Sequence, residues 1–294
     1  MKTRIAEKFQ TLFQTEGDFF ASAGRINLIG EHTDYNGGFV FPGAIDKGMI
    51  AEIKLNGMDR VRAFALDLDE YCEFGLEEEN LPAQSWARYI FGVCREIQKR
   101  GGKIGGFDTV FAGDVPLGAG MSSSAALEST FAFALNELFG LGIDKFELAR
   151  IGQSTEHNYC GVKCGIMDQF ASAHGKADHA IYLNCDTLEY ELVPVKLEGI
   201  KVVVTNTHSP HKLDSGSFND RVRQCQLAVE QINEIRPIQY LAELSQIEFE
   251  QVKSAITDEI AHRRARHVVG EVQRTKDAVE ALQQGNIEKF GLLM

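Results

Sequence analysis

Long apolar runs are absent from this sequence, and so are the marks of a secreted protein. No stretch of 18 or more apolar residues occurs, so we expect no helix that spans a membrane and no membrane partner. The first residues, MKTRIAEKFQTLF, are charged and amphipathic and lack the apolar segment of a signal peptide. The sequence therefore predicts a cytoplasmic protein.

Cysteine pairs at metal-binding spacing are missing as well. The six cysteines lie at positions 72, 94, 160, 164, 185 and 225, and none of them forms a CxxC pair. This spacing argues against a structural zinc site and favours thiols that stay reduced. Proline is scarce, with 6 residues, and no Pro-, Gly- or Ser-rich linker marks a domain boundary.

Positive charge is in deficit. Lysine and arginine number 30 against 42 acidic residues, which gives a formal net charge of −12. Such a surface repels a phosphate backbone, so we expect no nucleic-acid partner. The net charge does not exclude a phosphate ligand, because a local pocket can be positive inside an acidic protein. Nothing in the sequence indicates a protein partner.

Helical and strand patterns are mixed without a regular alternation, which favours an α+β fold over a doubly wound sheet. A chain of 294 residues is long enough for about two domains, which we place at 1–185 and 186–294. Residues 70–79 are expected to form an acidic, exposed stretch. The patterns predict helices over 1–15, 85–100, 123–138, 144–158, 218–234, 246–258 and 265–281, and strands over 39–53, 61–66, 107–113, 180–184 and 200–206.

Residues 116–128, PLGAGMSSSAALE, have the composition of a phosphate-binding loop. Glycines let the main chain approach an anion, and the free N–H groups of a following helix point at it. A serine hydroxyl could also ligate a phosphate-bound Mg²⁺. The segment matches neither GxxxxGK[ST] nor GxGxxG, and a serine that simply caps a helix is an alternative of equal weight.

Residues 24–38, GRINLIGEHTDYNGG, concentrate polar groups of several kinds. Carboxylates can accept from sugar hydroxyls, and Arg25 or His32 can donate, so the segment suits a polyhydroxylated ligand. Taken singly, His32 is more often an ordinary surface or core histidine, and Glu31 or Asp34 a turn residue. Their density favours a binding segment.

Asp168 lies in the apolar segment CGIMDQFAS, where a carboxylate needs a cation or hydrogen bonds to keep its charge. Arg25 is the predicted partner, and a paired aspartate could deprotonate a hydroxyl that attacks a γ-phosphate. Glu156 could join a loop serine in a Mg²⁺ site. From chemistry alone, Asp168 is an equally good helix N-cap, and Glu156 is better explained as a solvated helix residue.

Together these segments resemble the galactokinases, within the wider family that includes the homoserine, mevalonate and phosphomevalonate kinases. Residues 24–38 are similar to the galactokinase signature, residues 116–128 to the shared phosphate-binding motif, and CGIMDQFAS to the segment with the catalytic aspartate. The resemblance implies a two-domain α+β fold of mixed sheets covered by helices, with the active site in the cleft between domains. It implies transfer of the ATP γ-phosphate to the anomeric hydroxyl of galactose, with Mg²⁺.

The resemblance also assigns roles by matching position. Asp168 would be the catalytic base and Arg25 the residue that stabilises the transition state, while Ser124 and Glu156 would bind Mg²⁺. The sugar would be held by Glu31, His32, Asp34 and Gly165. The ATP phosphates would be wrapped by Gly118, Ala119, Gly120, Met121, Ser122, Ser123 and Ser124.

Two departures from the family pattern stand out. Phe218 occupies the position where the family has a sugar-contacting tyrosine, so a related sugar such as N-acetylgalactosamine is an alternative substrate. No third glycine-rich motif follows Gly285, so we expect a C-terminally truncated chain with an incomplete second domain. A catalytically weak or inactive homologue that binds sugar and nucleotide is the other alternative.

Overall fold

Residues 1–116, 120–195, 199–205 and 215–294 are described by a computed structural model. They divide into two units, each with its own packing: the first comprises 1–25, 45–161 and 168–174, and the second comprises 26–44, 162–167 and 175–294. This division differs from the single boundary predicted after residue 185. The reason is that residues 26–44, near the start of the chain, pack with its C-terminal part.

The described residues form helices and strands in mixed order. The helices are α1 (Lys2–Phe13), α2 (Ser85–Lys99), α3 (Ser123–Phe139), α4 (Lys145–Thr155), α5 (Met167–His174), α6 (Ser215–Asn233), α7 (Gln246–Val252), α8 (Glu259–Gln283) and α9 (Ile287–Leu293). The strands are β1 (Asp18–Asn27), β2 (Phe39–Val40), β3 (Pro42–Leu55), β4 (Arg60–Ala65), β5 (Glu70–Gly75), β6 (Phe107–Gly113), β7 (His179–Asn184) and β8 (Tyr190–Pro194).

The first unit is built on a five-stranded sheet in the order β1-β3-β6-β4-β5. Strand β6 pairs antiparallel with β3 and parallel with β4, so the sheet is mixed. Alternate residues of β6 face opposite sides, as strand geometry requires. Phe107 and Phe111 pack in the large core with α2 and α3, whereas Val110 and Ala112 pack with Ile5 of α1. Helices therefore cover both faces of this sheet.

The second unit combines a three-stranded antiparallel sheet, in the order β2-β7-β8, with the C-terminal helices. Cys225 of α6 and Phe249 of α7 are buried in one cluster with Val268 of α8. A second cluster joins Phe41 to the end of α8 and to Phe290 of α9. Helix α8 is thus shared by both clusters, which fixes the side chains that it carries.

Two segments differ from the prediction. Residues 70–75 form strand β5, in which Cys72 and Phe74 are buried on one face while Tyr71 and Glu73 are exposed on the other, so the stretch is only partly exposed. Residues 200–205 form no strand, and Val203 is 80% exposed. Apolar β-branched residues favour strands, but a strand also needs a hydrogen-bonding neighbour, and no described strand pairs with this run.

The predicted α+β class with mixed sheets covered by helices is confirmed. Along the described ranges, no helix combines the length and the apolarity that a membrane crossing demands.

Candidate functional site

Arg25 and Asp168 form an ion pair inside the first unit. Arg25 lies in β1, and its Nε and one terminal nitrogen donate to Asp168 Oδ1 at 2.8 Å and 2.6 Å. The two side chains are only 11% and 25% exposed. The structure therefore contains the pairing that the sequence predicts. Helix α5 begins at Met167, so Asp168 lies within its first turn and is not the N-cap.

Residues 120–122, which precede α3 and which we call the serine loop, add two further contacts to this pair. Ser122 Oγ donates to Asp168 Oδ2, and the other terminal nitrogen of Arg25 donates to the Gly120 carbonyl at 2.6 Å. Gly120 and Ser122 have φ angles of +70° and +57°, and the second value is unusual for a residue with a side chain. Each Asp168 oxygen thus has a donor, and we call Arg25, Gly120, Ser122 and Asp168 the Asp168 centre.

The loop then enters α3, whose first residue is Ser123. The Met121 carbonyl accepts from the Arg25 backbone N–H at 3.3 Å, which ties the loop to β1. The first turn of α3 leaves N–H groups without helical partners, as every helix does, and these can receive an anion. Gly118 and Ala119, predicted to wrap the ATP phosphates, lie outside the described residues.

Glu156 and Ser124 are brought together, as a Mg²⁺ site would require. Glu156 follows α4 in a short π-helical turn and is 5% exposed. Burial, with the Asp168 charge nearby, raises the pKa of Glu156 to about 7, although a hydrogen bond from Ser124 opposes that rise. The sequence alone favoured a solvated Glu156, which is wrong. A hydroxyl and a buried carboxylate beside a second carboxylate are oxygen donors that fit a hard divalent cation.

Glu128 was missed as part of this region. It lies on α3 and is fully buried, and its Oε2 accepts from Gln169 Nε2 at 3.1 Å. Burial, followed by the charge of Glu156, holds the pKa of Glu128 well above its usual value. Its Oε1 has no partner among the described residues. The glutamate at the end of PLGAGMSSSAALE, inside a largely apolar helix, was the available signal.

In the second unit, the predicted sugar residue His32 is packed among aromatic rings. Its Nδ1 and the Tyr35 hydroxyl are joined by a hydrogen bond of 2.9 Å. The Phe218 ring lies 5.9 Å from the His32 ring and 5.5 Å from the Tyr35 ring, measured between centroids. The structure therefore brings Phe218 of α6 beside the polar N-terminal segment.

Asp34, Gly165 and Glu31 are also placed in the second unit. A Cβ on Gly165 would lie 2.2 Å from Asp34 Oδ2, so only glycine fits beside that carboxylate. Glu31 is exposed, and one of its carboxylate oxygens accepts from Asn27 Nδ2 at 2.9 Å. The His267 ring is joined to the Glu31 carbonyl by a hydrogen bond of 2.9 Å. Gly165 and Asp34 are thus in contact, as sugar binding by both residues would require.

A small cavity in the second unit was not predicted. Its volume is about 260 Å³, and its lining is rich in basic and hydrogen-bonding side chains, so we call it the arginine pocket. Two arginines from different helices point to the same space, which sequence spacing could not reveal. The polar lining consists of His32, Tyr35, Arg221, Cys225, Arg264 and His267.

Metal ligands are few in the described part of the chain. Within it, no three His, Cys, Asp or Glu side chains form a cluster able to hold a metal ion. Ser124 and Glu156 would therefore supply only part of a coordination shell. Such partial protein ligation is usual for Mg²⁺, which keeps waters and substrate phosphates among its ligands. The site fits a metal that is bound together with a nucleotide.

Two family profiles match the regions that hold these features. The profile described as GHMP kinases N terminal domain matches residues 88–176, and the one described as Galactokinase galactose-binding signature matches residues 7–55. A galactokinase from Clostridium acetobutylicum is 40% identical over 295 residues, covering 99% of this chain and 76% of the relative. A galactokinase from Fusobacterium nucleatum is 43% identical, covering 100% and 77%.

Solved structures agree with this assignment. The crystal structure of Lactococcus lactis galactokinase complexed with galactose superimposes with a TM-score of 0.91 at 37% identity, covering 99% of this chain and 77% of that one. A D-glycero-D-manno-heptose 1-phosphate kinase shares the fold at a TM-score of 0.59 and 18% identity. The fold and site thus define an ATP-dependent kinase of the GHMP class. Within that class, the chain belongs to the galactokinase family, whose members are sugar kinases.

Proposed function

We propose that this protein transfers the γ-phosphoryl group of ATP to the anomeric hydroxyl of galactose, giving galactose 1-phosphate and ADP. The observation that carries the proposal is the Asp168 centre, in which a paired carboxylate lies against the serine loop that starts α3. The relatives named galactokinase, and the solved one that holds galactose, support the choice of sugar.

Asp168 is the proposed catalytic base. Arg25 pairs with its Oδ1, and Oδ2 can accept the proton of the attacking hydroxyl once Ser122 moves away from it. Arg25 is proposed to stabilise charge on the transferring group, because a guanidinium already held at this point needs little reorganisation. Phosphoryl transfer depends mainly on positioning and charge, and both residues serve those ends.

The nucleotide is proposed to bind along Gly118–Ser124, with its phosphates on the first turn of α3. Ser124 and Glu156 are proposed to hold Mg²⁺, which would neutralise phosphate charge when bound. Glu156 could deliver a carboxylate there because a cation offsets the burial that raises its pKa. Titration of activity with MgCl₂ at fixed ATP should give Glu156→Gln a weaker apparent Mg²⁺ affinity than the parent. An unchanged titration would remove Glu156 from the role.

Glu31, His32, Asp34 and Gly165 are proposed as sugar-binding residues. The contact between Gly165 and Asp34, and the packing of Phe218 on His32, support a single binding surface in the second unit. Phe218 can stack on a sugar but cannot donate a hydrogen bond, so a related sugar such as N-acetylgalactosamine remains the second candidate substrate. The cytoplasmic location expected from the sequence stays a prediction.

A coupled assay for ADP release, with galactose and Mg-ATP, tests the proposal. The control lacks sugar, and a panel with N-acetylgalactosamine, glucose and mannose tests selectivity. Sugar-dependent ADP release with galactose preferred supports the proposal, and preference for N-acetylgalactosamine supports the alternative. Calorimetric binding of both ligands without ADP release would instead indicate a sugar- and nucleotide-binding protein without catalysis.

A further inference from the structure

The arginine pocket holds positive charge that the described residues do not neutralise. Arg221 lies on α6 and Arg264 on α8, and both are half-buried. Arg264 Nε donates to the neutral Gln224 side chain at 2.9 Å. Over the described ranges, neither guanidinium has a carboxylate within ion-pair distance, whereas the neighbouring Arg223 pairs with Asp220 at 3.0 Å.

Glu271, a buried acid whose charge acts on His32, already has other partners. Glu271 Oε1 accepts from the backbone N–H groups of Gly30 and Glu31 at 2.9 Å and 3.1 Å, and its other oxygen pairs with Arg274. Its charge therefore stabilises a turn and a neighbouring cation. A half-buried guanidinium cannot shed its proton, so a charge of this kind needs an anion to offset the loss of water.

The neutral groups of the pocket complete a set of hydrogen-bonding partners. Burial, followed by the Arg221 charge, lowers the pKa of His32 to about 4, so this ring is neutral near pH 7. The Tyr35 hydroxyl is held against it, and burial raises the pKa of that hydroxyl, which stays protonated. The pocket thus offers two permanent cations and uncharged donors, and no carboxylate is among the lining residues that belong to the described ranges.

We propose that the arginine pocket binds a single oxyanion, a carboxylate or a phosphate group. Guanidinium groups match the planar spacing of such oxygens and bind them through paired hydrogen bonds. The volume of about 260 Å³ holds one such group with several waters, since a water occupies about 30 Å³. The oxyanion is either free in solution or carried on a hexose, and the two sources are separable by experiment.

The test measures binding to the full chain by calorimetry and by the rise in melting temperature, at constant ionic strength and without nucleotide. Inorganic phosphate is the free oxyanion, galacturonate is the hexose with a carboxylate, and galactose is the uncharged comparison. Arg221→Gln and Arg264→Gln remove the pocket cations. Arg223→Gln and Arg266→Gln are matched controls, because they remove exposed arginines from the same two helices.

We expect saturable binding of phosphate or galacturonate that weakens about tenfold or more in each pocket variant, as expected for loss of a charged hydrogen-bond pair. The two control variants should bind as the parent does. Phosphate binding identifies a free oxyanion, and binding of galacturonate alone identifies a sugar-borne one. Binding of neither, equal binding by the pocket variants, or equal loss in the controls overturns the proposal. If phosphate bound only at the serine loop, the pocket variants would bind it as the parent does, and the proposal would be overturned.

A measurement on the unmodified protein tests the proposal even if the arginine variants do not fold. Imidazole NMR signals of His32 and His267 should shift as phosphate or galacturonate is added, while His179, outside the pocket, should not. Absence of shifts at both pocket histidines would contradict the proposal. Turnover of galactose is assayed separately in phosphate-free buffer, so failure of the proposed catalysis leaves this result unaffected.

Discussion

The Asp168 centre and the arginine pocket differ in the sign and the pairing of their buried charges. In the first, Asp168 is bonded by Arg25 and Ser122, and two more carboxylates, Glu128 and Glu156, are buried close by. In the second, Arg221 and Arg264 share a cavity whose described lining residues include no carboxylate. One region has a surplus of acid and the other a surplus of base, within a chain of formal net charge −12.

The comparison explains which groups keep their charge. Burial raises the pKa of Glu156 to about 7 and lowers the pKa of His32 to about 4, so both move toward the neutral form. Asp168 has a cation as partner, and arginine cannot lose its proton. The paired carboxylate is therefore Asp168, and the permanent cations of the pocket are its arginines. Ligands of opposite character are expected at the two places, a metal-bound nucleotide at one and an oxyanion at the other.

Asp168→Asn should give the largest effect, because it removes the base while keeping the shape of the side chain. We expect the turnover number to fall by about 10²–10⁴, the usual contribution of general base catalysis. ATP and galactose should still bind when measured by calorimetry. If the variant retained more than about a third of the parent turnover, the assignment of Asp168 as the base would be wrong.

Arg25→Lys should lower the turnover number by about 10², the lower end of the loss seen when one stabilising donor is removed. Lysine keeps the charge but cannot donate at once to Asp168 and to the Gly120 carbonyl. Arg62→Lys is the matched control, because Arg62 also makes two bonds to a carboxylate, Asp108, at 2.7 Å and 2.5 Å.

The two lysine variants should lose similar melting temperature in a thermal unfolding experiment, but only the Arg25 variant should lose activity. Comparable activity losses in both would mean that Arg25 acts through the stability of the first unit. In that case the Arg25–Asp168 pair would be structural, as the Arg62–Asp108 pair is.

Phe218→Tyr tests whether position 218, in the second unit, takes part in sugar recognition. A hydroxyl added beside His32 and Tyr35 should strengthen galactose binding by about 0.5–1.5 kcal/mol, the net value of one hydrogen bond. Calorimetric titration with galactose measures it, and Phe133→Tyr, at an exposed site in the first unit, is the control. Unchanged or weaker galactose binding would remove position 218 from sugar recognition.

His32→Gln should have the smallest effect, confined to acidic pH. The pKa of His32 is lowered to about 4 in the folded protein against 6.5 for the free side chain. The unfolded chain therefore binds a proton more readily, and the stabilising contribution is fully present above about pH 6.5 and lost as the pH falls toward about 4.

Melting temperatures measured from pH 7 to pH 4 should thus fall less steeply in the His32→Gln variant than in the parent. In Arg221→Gln the melting temperature should also fall less steeply than in the parent, because the Arg221 charge is among the causes that lower the pKa of His32. The His179→Gln variant is the control and should follow the parent. Parallel curves for parent and His32→Gln would mean that the ring titrates normally in the folded protein.

Much of the fold could be predicted from the sequence because its long elements have strong local patterns. Strand β6 was predicted at 107–113, where it is found, and α2 and α3 were predicted to within one residue. Strands β1, β5 and β8 were missed, because short or polar strands carry weak periodicity. The run 200–205 had strand composition but no described partner, and pairing is a property of distant residues.

The sequence by itself predicted that Asp168 pairs with Arg25, because a carboxylate in an apolar segment needs a cation or hydrogen bonds, and it left a helix N-cap open as the alternative. Only the tertiary structure decided that Glu156 is buried against Ser124, and that arginines from α6 and α8 face one cavity. Position 221 and position 264 are brought together by the packing of α6 on α8 through Cys225 and Val268. Burial and the meeting of distant side chains arise from packing, which local spacing does not encode.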